Sequence, residues 1–453
     1  MNDQIYALAT PPLNSSLALI RLSGSKLRPF LIKFFSKSKQ VKNRQAVYGS
    51  LVYKNKIIDD VILIFYQAPH SFTGEDMIEI TCHGNQLIIQ RIYQLFNSLG
   101  FRLAAPGEFS KRAFLNGKID LTKAEAINQI LVAKSEWHLE TALGQMHGSM
   151  LGYINQIREL IIQLKADLEA SIDFIEEDLE FISHKDSLKL AKKSRDLLNK
   201  FWEQLKLGEK ISQGIEVVIV GKPNVGKSSL LNLLLNQERA IVTDTPGTTR
   251  DLIQETITIN GFQLNLTDTA GIHKTRDVIE QKGIKLSYQQ LEKAGLVLMV
   301  LDPTTGYQEA DKEIIKTLAT LPDKEIIFLV NKIDLASKKD LSQITKKLQK
   351  TYIPFSAKKA VGLEELKKKI SLILKKVFVP HKTSFVADRR IINLTEKALL
   401  ANEQVIDLIK NKSSVEIITF ELQELINLLG EMTGEISPED ILDSIFSRFC
   451  IGK

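Results

Sequence analysis

Gly221 to Ser228 reads GKPNVGKS. A glycine, four residues and then Gly-Lys-Ser is the spacing of a phosphate-binding loop when a strand precedes it and a helix follows. The strand-like run IEVVIV precedes it and the helix-like run SLLNLLLN follows. Gly221 and Gly226 permit backbone conformations that a side chain would block. The N–H groups of Asn224, Val225, Gly226, Lys227, Ser228 and Ser229 can then turn toward phosphate oxygens at a helix N-terminus. Lys227 is expected to reach the β- and γ-phosphates, and Ser228 to hold Mg²⁺. Further on, Asp268, Thr269, Ala270 and Gly271 spell DTAG, a segment that can sense the γ-phosphate. Asn331, Lys332 and Asp334 belong to NKID, and Ser356, Ala357 and Lys358 spell SAK. The Asp334 carboxylate can accept two N–H bonds from guanine, a donor pair that adenine lacks. The run Thr243, Asp244, Thr245, Pro246, Gly247, Thr248 and Thr249 supplies a switch loop, with Thr249 the expected second Mg²⁺ hydroxyl. These motifs, in this order, imply binding and hydrolysis of GTP. The residue after Gly271 is Ile272, which cannot orient a water as a glutamine would. Another group must do so, and Asp277 and Glu280 lie in the segment that follows.

The elements that must carry these residues can be read from texture. From 214 to 376, short apolar runs alternate with helical stretches. The expected strands are Ile215–Val220, Thr256–Ile259, Leu264–Thr267, Leu296–Asp302, Ile326–Asn331 and Tyr352–Phe355. That alternation predicts a doubly wound, mostly parallel α/β sheet. Residues 1 to 118 mix the strands Leu17–Leu22, Val61–Tyr66 and Met77–Cys82 with turn signals at Ser23-Gly24, Pro69, Gly74 and Gly84, as in a compact α+β domain. From 119 to 213 the turn residues thin out. A helix opens at Leu121, and Ile154, Ile157, Ile161, Leu164 and Leu168 recur at three- and four-residue steps, forming the seam of a packed helix. Residues 377 to 453 turn helical again. One helical domain, interrupted by the α/β insert, is the simplest reading, giving a multidomain protein of α/β and α+β class. Its two tracts should pack together.

Bulk composition narrows the class further. The chain has 453 residues, 44% of them hydrophobic and 25% charged, ordinary values for globular domains. Its net charge of +6 is compatible with a nucleic-acid partner, but on charge alone a solvated lysine-rich surface is the better explanation. Two cysteines, Cys82 and Cys450, exclude a disulfide framework or a four-cysteine zinc site. No run of about 18 uncharged apolar residues suggests a membrane span. No secretory leader is visible, so a cytoplasmic protein is expected.

Over essentially its whole length the chain resembles the MnmE (TrmE) tRNA-modification GTPases. The resemblance rests on ATPP (Ala9–Pro12), SFTGED (Ser71–Asp76), HGN (His83–Asn85), PGEFSKRAFLNGKIDL (Pro106–Leu121), GKPNVGKSSLLN, TDTPGTTRD, DTAGI and the terminal FCIGK (Phe449–Lys453). It departs at Asn85, where the family more often has glycine. The resemblance implies an N-terminal tetrahydrofolate-binding and dimerisation domain, a discontinuous helical domain and an inserted GTPase domain. It implies a homodimer working with a flavin-dependent (FAD) partner, MnmG, on C5 of the wobble uridine of certain tRNAs. The group installed would be aminomethyl or carboxymethylaminomethyl. It also implies K⁺ held by Asn224, Thr243, Thr245 and Thr248, and a water-positioning glutamate at Glu280. Folate contacts would be Arg21, Glu79, Lys118 and Lys453, with 5-formyltetrahydrofolate or methylenetetrahydrofolate as the ligand. Cys450 would be a possible further site residue. Two other readings stand beside this one: a ribosome-assembly GTPase switch that binds ribosomal RNA, and a folate-dependent aminomethyltransferase regulated by its GTPase domain. A chain that ends in helices and FCIGK, not in an RNA-binding module, argues against the first.

Overall fold

The computed structural model describes residues 3–173, 182–238, 254–268, 291–321, 324–378, 385–386, 388–436, 438–447, 449 and 452. The chain packs as two compact units. The first comprises Met1–Asn128, Gly144–Leu198 and Asn393–Lys453; the second comprises Gln129–Leu143 and Asn199–Ile392.

The first unit contains a six-stranded sheet of β1 (Ile5–Leu8), β2 (Ser15–Gly24), β3 (Ala46–Tyr53), β4 (Lys56–Tyr66), β5 (Asp76–Gly84) and β6 (Arg102–Leu103). The spatial order is β3-β4-β5-β2-β1-β6, antiparallel throughout except for the β1–β6 pair. Side chains alternate between faces with period two. Ile20, Leu22, Ile78, Ile80 and Cys82 therefore point into one core, against Ile92, Leu95 and Phe96 of the helix Gln86–Ser98. Arg21, Glu79 and Thr81 point the other way. Ser23-Gly24 and Gly84, expected as turn signals between strands, close β2 and β5, with pairing running to Gly24↔Asp76 and Ser15↔Gly84. A Cβ at Gly84 would lie 2.2 Å from the Ser15 hydroxyl. Asn85 caps the following helix, its side chain accepting the Leu87 N–H at 2.9 Å with φ −107°. Asn85 thus serves as an N-cap and is not strained.

The two helical tracts pack together in this unit, as their periodicity predicted. Ile154, Ile157, Ile161, Leu164 and Leu168 of the helix Ser149–Asp173 are all buried. That helix packs on Val415–Thr433, whose Ile418, Leu422, Leu425 and Leu429 are buried. Arg158 bonds Glu435 at 2.6 Å, and Asn402 donates to the Ser194 hydroxyl at 2.7 Å across the same tracts.

The second unit carries β7 (Ile215–Val220), β8 (Gln254–Ile259), β9 (Phe262–Asp268), β10 (Leu296–Leu301), β11 (Glu325–Val330) and β12 (Tyr352–Pro354), in the order β12-β11-β10-β7-β9-β8. All neighbours are parallel except the β8–β9 hairpin. Its Asn260-Gly261 turn has positive φ at both residues, the geometry that matches strand twist. Both faces are apolar, with Leu296, Leu298 and Val300 on one and Val297, Met299 and Leu301 on the other. Trp137, far away in sequence, packs on the first of these cores. Among the described residues, no helix is long and apolar enough to cross a membrane.

Candidate functional site

The loop after β7 opens onto the C-terminal ends of the central strands, where doubly wound sheets bind ligands. The helix Lys227–Glu238 begins inside the loop motif itself. Gly226 has φ +100°, and a Cβ there would lie 2.2 Å from the Asn331 side-chain nitrogen. Asn224 also adopts a left-handed conformation, φ +64°. The loop is held from outside by side chains of the next motif. Asn331 donates to the Val225 carbonyl at 2.8 Å, and its oxygen accepts the Ala357 N–H at 3.0 Å. One buried asparagine thus ties GKPNVGKS to SAK, more than 100 residues apart. Lys332 donates to the Asn224 carbonyl at 2.7 Å and pairs with Asp302 at 2.6 Å. Burial raises the Asp302 carboxyl, but the bonds from Lys332 and Thr304 outweigh it and hold the group below the usual range. Lys227 bridges the carbonyls of Gly221 and Lys222 at 2.8 Å each, so its ammonium is held over the loop. Ser228 and Ser229 are exposed at the first turn of the helix.

The corner at Asp334 is equally ordered. Ser356 donates to Asp334 at 2.6 Å, and that bond holds the Asp334 carboxyl below its ordinary value. An ionised carboxylate accepts only, which suits two N–H donors on one edge of a base. Lys358 follows Ala357 in the same loop.

Sequence reasoning missed the supports. Lys222 and Asp311 form a buried ion pair at 2.8 Å, in which Asp311 also caps the helix Glu309–Ala319 by accepting the Gln308 N–H. Asp302 and Asp311 sit in an LDPTTGYQEAD run that matches none of the nucleotide motifs. Of the expected nucleotide residues, Thr243, Asp244, Thr245, Pro246, Gly247, Thr248, Thr249, Thr269, Ala270, Gly271 and Glu280 lie outside the described residues. Asp268 is described as the last residue of β9.

In the first unit, Arg21 and Glu79 are direct cross-strand partners on β2 and β5 and form an ion pair at 2.9 Å. Tyr66 donates to the other Glu79 oxygen at 3.0 Å. Burial and the Glu79 charge push the Tyr66 hydroxyl above its ordinary value, so it remains a donor at neutral pH. Lys118 donates to the Pro69 carbonyl at 2.9 Å, three residues beyond Tyr66. Gly452, φ +91°, lies against Leu8 and Ala9, where a Cβ would come within 2.5 Å of the Leu8 carbonyl. The end of the chain therefore reaches β1, whose Ala7 pairs with Arg21. Lys453 and Cys450 lie outside the described residues. The other thiol, Cys82, is buried and pushed up to about 11 by burial and the nearby Asp59, a protonated, unreactive group.

Residues of SFTGED and PGEFSKRAF have a structural use that spacing could not reveal. Arg112 is 1% exposed and bonds Glu108 at 2.9 Å, Glu75 at 3.0 Å and Asp3 at 2.8 Å. Arg102 adds bonds to Glu108 at 2.6 Å and to Asp3 at 2.7 Å.

Two family descriptions match the chain. Residues 4–118 match the family described as GTP-binding protein TrmE N-terminus, and residues 121–450 match the MnmE helical domain. A tRNA modification GTPase MnmE of Aquifex aeolicus is 42% identical over 457 residues, covering 100% of both chains. The proteins of the same name from Thermotoga maritima and Clostridioides difficile are 38% and 37% identical, again over 100% of both chains.

Proposed function

This chain belongs to the MnmE family of tRNA modification GTPases, and from that premise we propose that it is a K⁺-dependent GTP hydrolase that drives modification of C5 of the wobble uridine of certain tRNAs. In this reading it works in the cytoplasm with a FAD-dependent partner, MnmG, and installs an aminomethyl or carboxymethylaminomethyl group.

The observation that carries the reading is the Asn331 clamp. It joins phosphate loop and base-reading loop into one rigid seat, with the Asp334 carboxylate at its end for guanine. Seat and ligand match in charge: loop N–H groups and Lys227 for phosphates, a carboxylate for the base's N–H edge. A serine hydroxyl at the start of a helix suits a hard cation, so Ser228 and Thr249 would hold Mg²⁺. Asn224, in the left-handed conformation at the crown of the loop, has a side-chain carbonyl oxygen to offer a second cation. Asn224, Thr243, Thr245 and Thr248 would hold K⁺ there. Bound, the two cations supply positive charge beside the phosphates, where the transferring group carries negative charge. Glu280 would orient the attacking water.

For the first unit, the reading is a folate site built on Arg21, Glu79 and Lys118 with Lys453 from the tail, binding 5-formyl- or methylenetetrahydrofolate. An Arg–Glu pair with a tyrosine donor offers both signs of hydrogen-bond partner to a polar heterocycle. Homodimerisation through this unit is supported by its sheet. The face away from the helix Gln86–Ser98 exposes Leu17 by 59%, Tyr48 by 61% and Ile62 by 45%.

The test is GTP hydrolysis by the purified protein in KCl and in NaCl at equal ionic strength. Strong activity in K⁺ alone is expected. Equal rates in both salts would remove the Asn224-centred cation from the mechanism.

A further inference from the structure

The net charge of the chain is unevenly placed. Residues 338–376 hold twelve lysines against three carboxylates, Asp340, Glu364 and Glu365, a surplus of nine. The whole chain carries only +6, so everything outside this stretch is net acidic, at −3. The stretch folds as the helix Lys338–Leu348, the edge strand β12 and the helix Leu363–Phe378. The first helix buries Ile344 and Leu348 on one face of the sheet, and the second buries Leu363, Leu366, Ile370 and Leu374 on the other. Their charged faces are thereby turned outward around the β12 side of the sheet.

A groove of about 490 Å³ runs along this surface. Lys368, Lys369 and Lys376 line it together with Thr351, Tyr352 and Ile353, and among the described residues its acids are Glu325 and Glu365. Lys350 leads directly into it, and Lys346 and Lys347 end the helix before it. All six lysines are buried neither by packing nor by an acid: none has an ion-pair partner among the described residues, whereas Lys367 beside them is paired with Glu364. In the sheet order, β12 is the edge opposite β8, so this surface is well separated from the phosphate loop after the central β7.

We infer that this lysine-lined edge is a docking surface for the sugar–phosphate backbone of tRNA. The inference rests on the tRNA-modification reading above and adds where the nucleic acid lies on this chain. Ammonium groups without an ion-pair partner, three lining the open groove and three on the chain that leads to it, neutralise phosphates without reading bases, because lysine acts as a point charge with three freely turning donors. The surface would therefore hold and orient tRNA while sequence is read elsewhere. It can stay occupied while GTP turns over, since none of its lysines belongs to the nucleotide seat.

The experiment compares full-length wild type with a variant carrying Lys→Gln at 346, 347, 350, 368, 369 and 376, and with a variant carrying Lys→Arg at the same six positions. Binding of an unmodified tRNA transcript is measured across a salt series. The glutamine variant should bind at least ~10-fold more weakly near physiological salt, and its log affinity should fall with log salt by a slope roughly 2–4 shallower, as each lost phosphate contact removes about 0.7–0.9. The arginine variant should bind like wild type, and both variants should hydrolyse GTP at the wild-type rate in K⁺, which shows that they are folded. Equal affinity and slope for wild type and the glutamine variant would overturn the inference. So would a wild type that hydrolyses GTP and supports tRNA modification yet shows no binding to the transcript. Loss of K⁺-stimulated hydrolysis and of modification in wild type would break the underlying reading as well, and that readout separates the two failures.

Discussion

The proposed nucleotide seat of the second unit and the Arg21–Glu79 corner of the first are both made of charged and polar side chains, but they are assembled by different means. In the seat, side chains hold backbone: Asn331 and Lys332 grip the carbonyls of Val225 and Asn224, and Lys227 grips those of Gly221 and Lys222. In the first unit, side chains hold side chains: Arg21 on Glu79, Tyr66 on Glu79, and Arg112 on Glu75, Glu108 and Asp3. A backbone-gripping site depends on where the chain bends, which short motifs encode. A site of side-chain pairs depends on strand register and packing, which short motifs do not encode. The first kind should fail catalytically when its residues are changed, and the second should fail in stability.

The widest separation is expected at Glu280. Glu280→Ala should lower kcat by ~10²–10⁴-fold with nucleotide affinity close to wild type. A rate within twofold of wild type would remove Glu280 from catalysis. Arg112→Met is the counterpart in the first unit. Removing one partner of a buried charge cluster leaves the others unpaired, so unfolding in urea should show a loss of ~3–5 kcal/mol. Hydrolysis per folded molecule should not change. A stable Arg112→Met protein with impaired hydrolysis would reverse the contrast.

Asp334→Asn should have a smaller effect and a specific one. It removes charge-assisted bonds worth ~1.5–3 kcal/mol, so the KM for GTP should rise by roughly one to two orders of magnitude, with preference over ATP reduced. An unchanged KM ratio would show that Asp334 does not read the base.

The gentlest probe is pH. Burial raises the Glu108 carboxyl, but bonds from Arg102, the Ala105 N–H and Arg112 outweigh it and hold the group below its ordinary value of 4.5. Asp3 is lowered by the same two arginines against its own burial. A lowered folded value contributes stability that is complete above the unfolded value and is lost as pH falls through the folded one. Thermal unfolding of the full chain should therefore be flat from neutrality to about pH 5 and decline below it. The decline should be shallower in Arg112→Met, where part of the lowering is gone. Identical acid profiles for the two proteins would show that the cluster does not govern acid stability.

Much of this protein was legible from its residues alone. GKPNVGKS, DTAG, NKID and SAK implied a GTPase, the class its relatives are named for, and all six strands of the α/β insert appeared within two residues of their expected bounds. The seam from Ile154 to Leu168 foretold a packed helix, and the two helical tracts meet. Such features are legible because they depend on local constraints: a glycine that must tolerate φ +100°, a period of 3.6, an apolar run between turns. The strands Ile5–Leu8, Ala46–Tyr53 and Arg102–Leu103 went unread, being short or interrupted by polar residues and stabilised by their neighbours in the sheet. The resemblance to a family named Arg21, Glu79 and Lys118, but nothing local did. Only tertiary structure decided that Arg21 faces Glu79, 58 positions away, that Arg112 is sunk among three carboxylates, that Asp311 pairs with Lys222 of the phosphate loop, and that Lys368, Lys369 and Lys376 line a groove beside the edge strand β12. The physical reason is common to all four. A side chain's partner across a sheet or between helices is chosen by register, and register is settled by the burial of the whole apolar face, not by the charged residues it brings together.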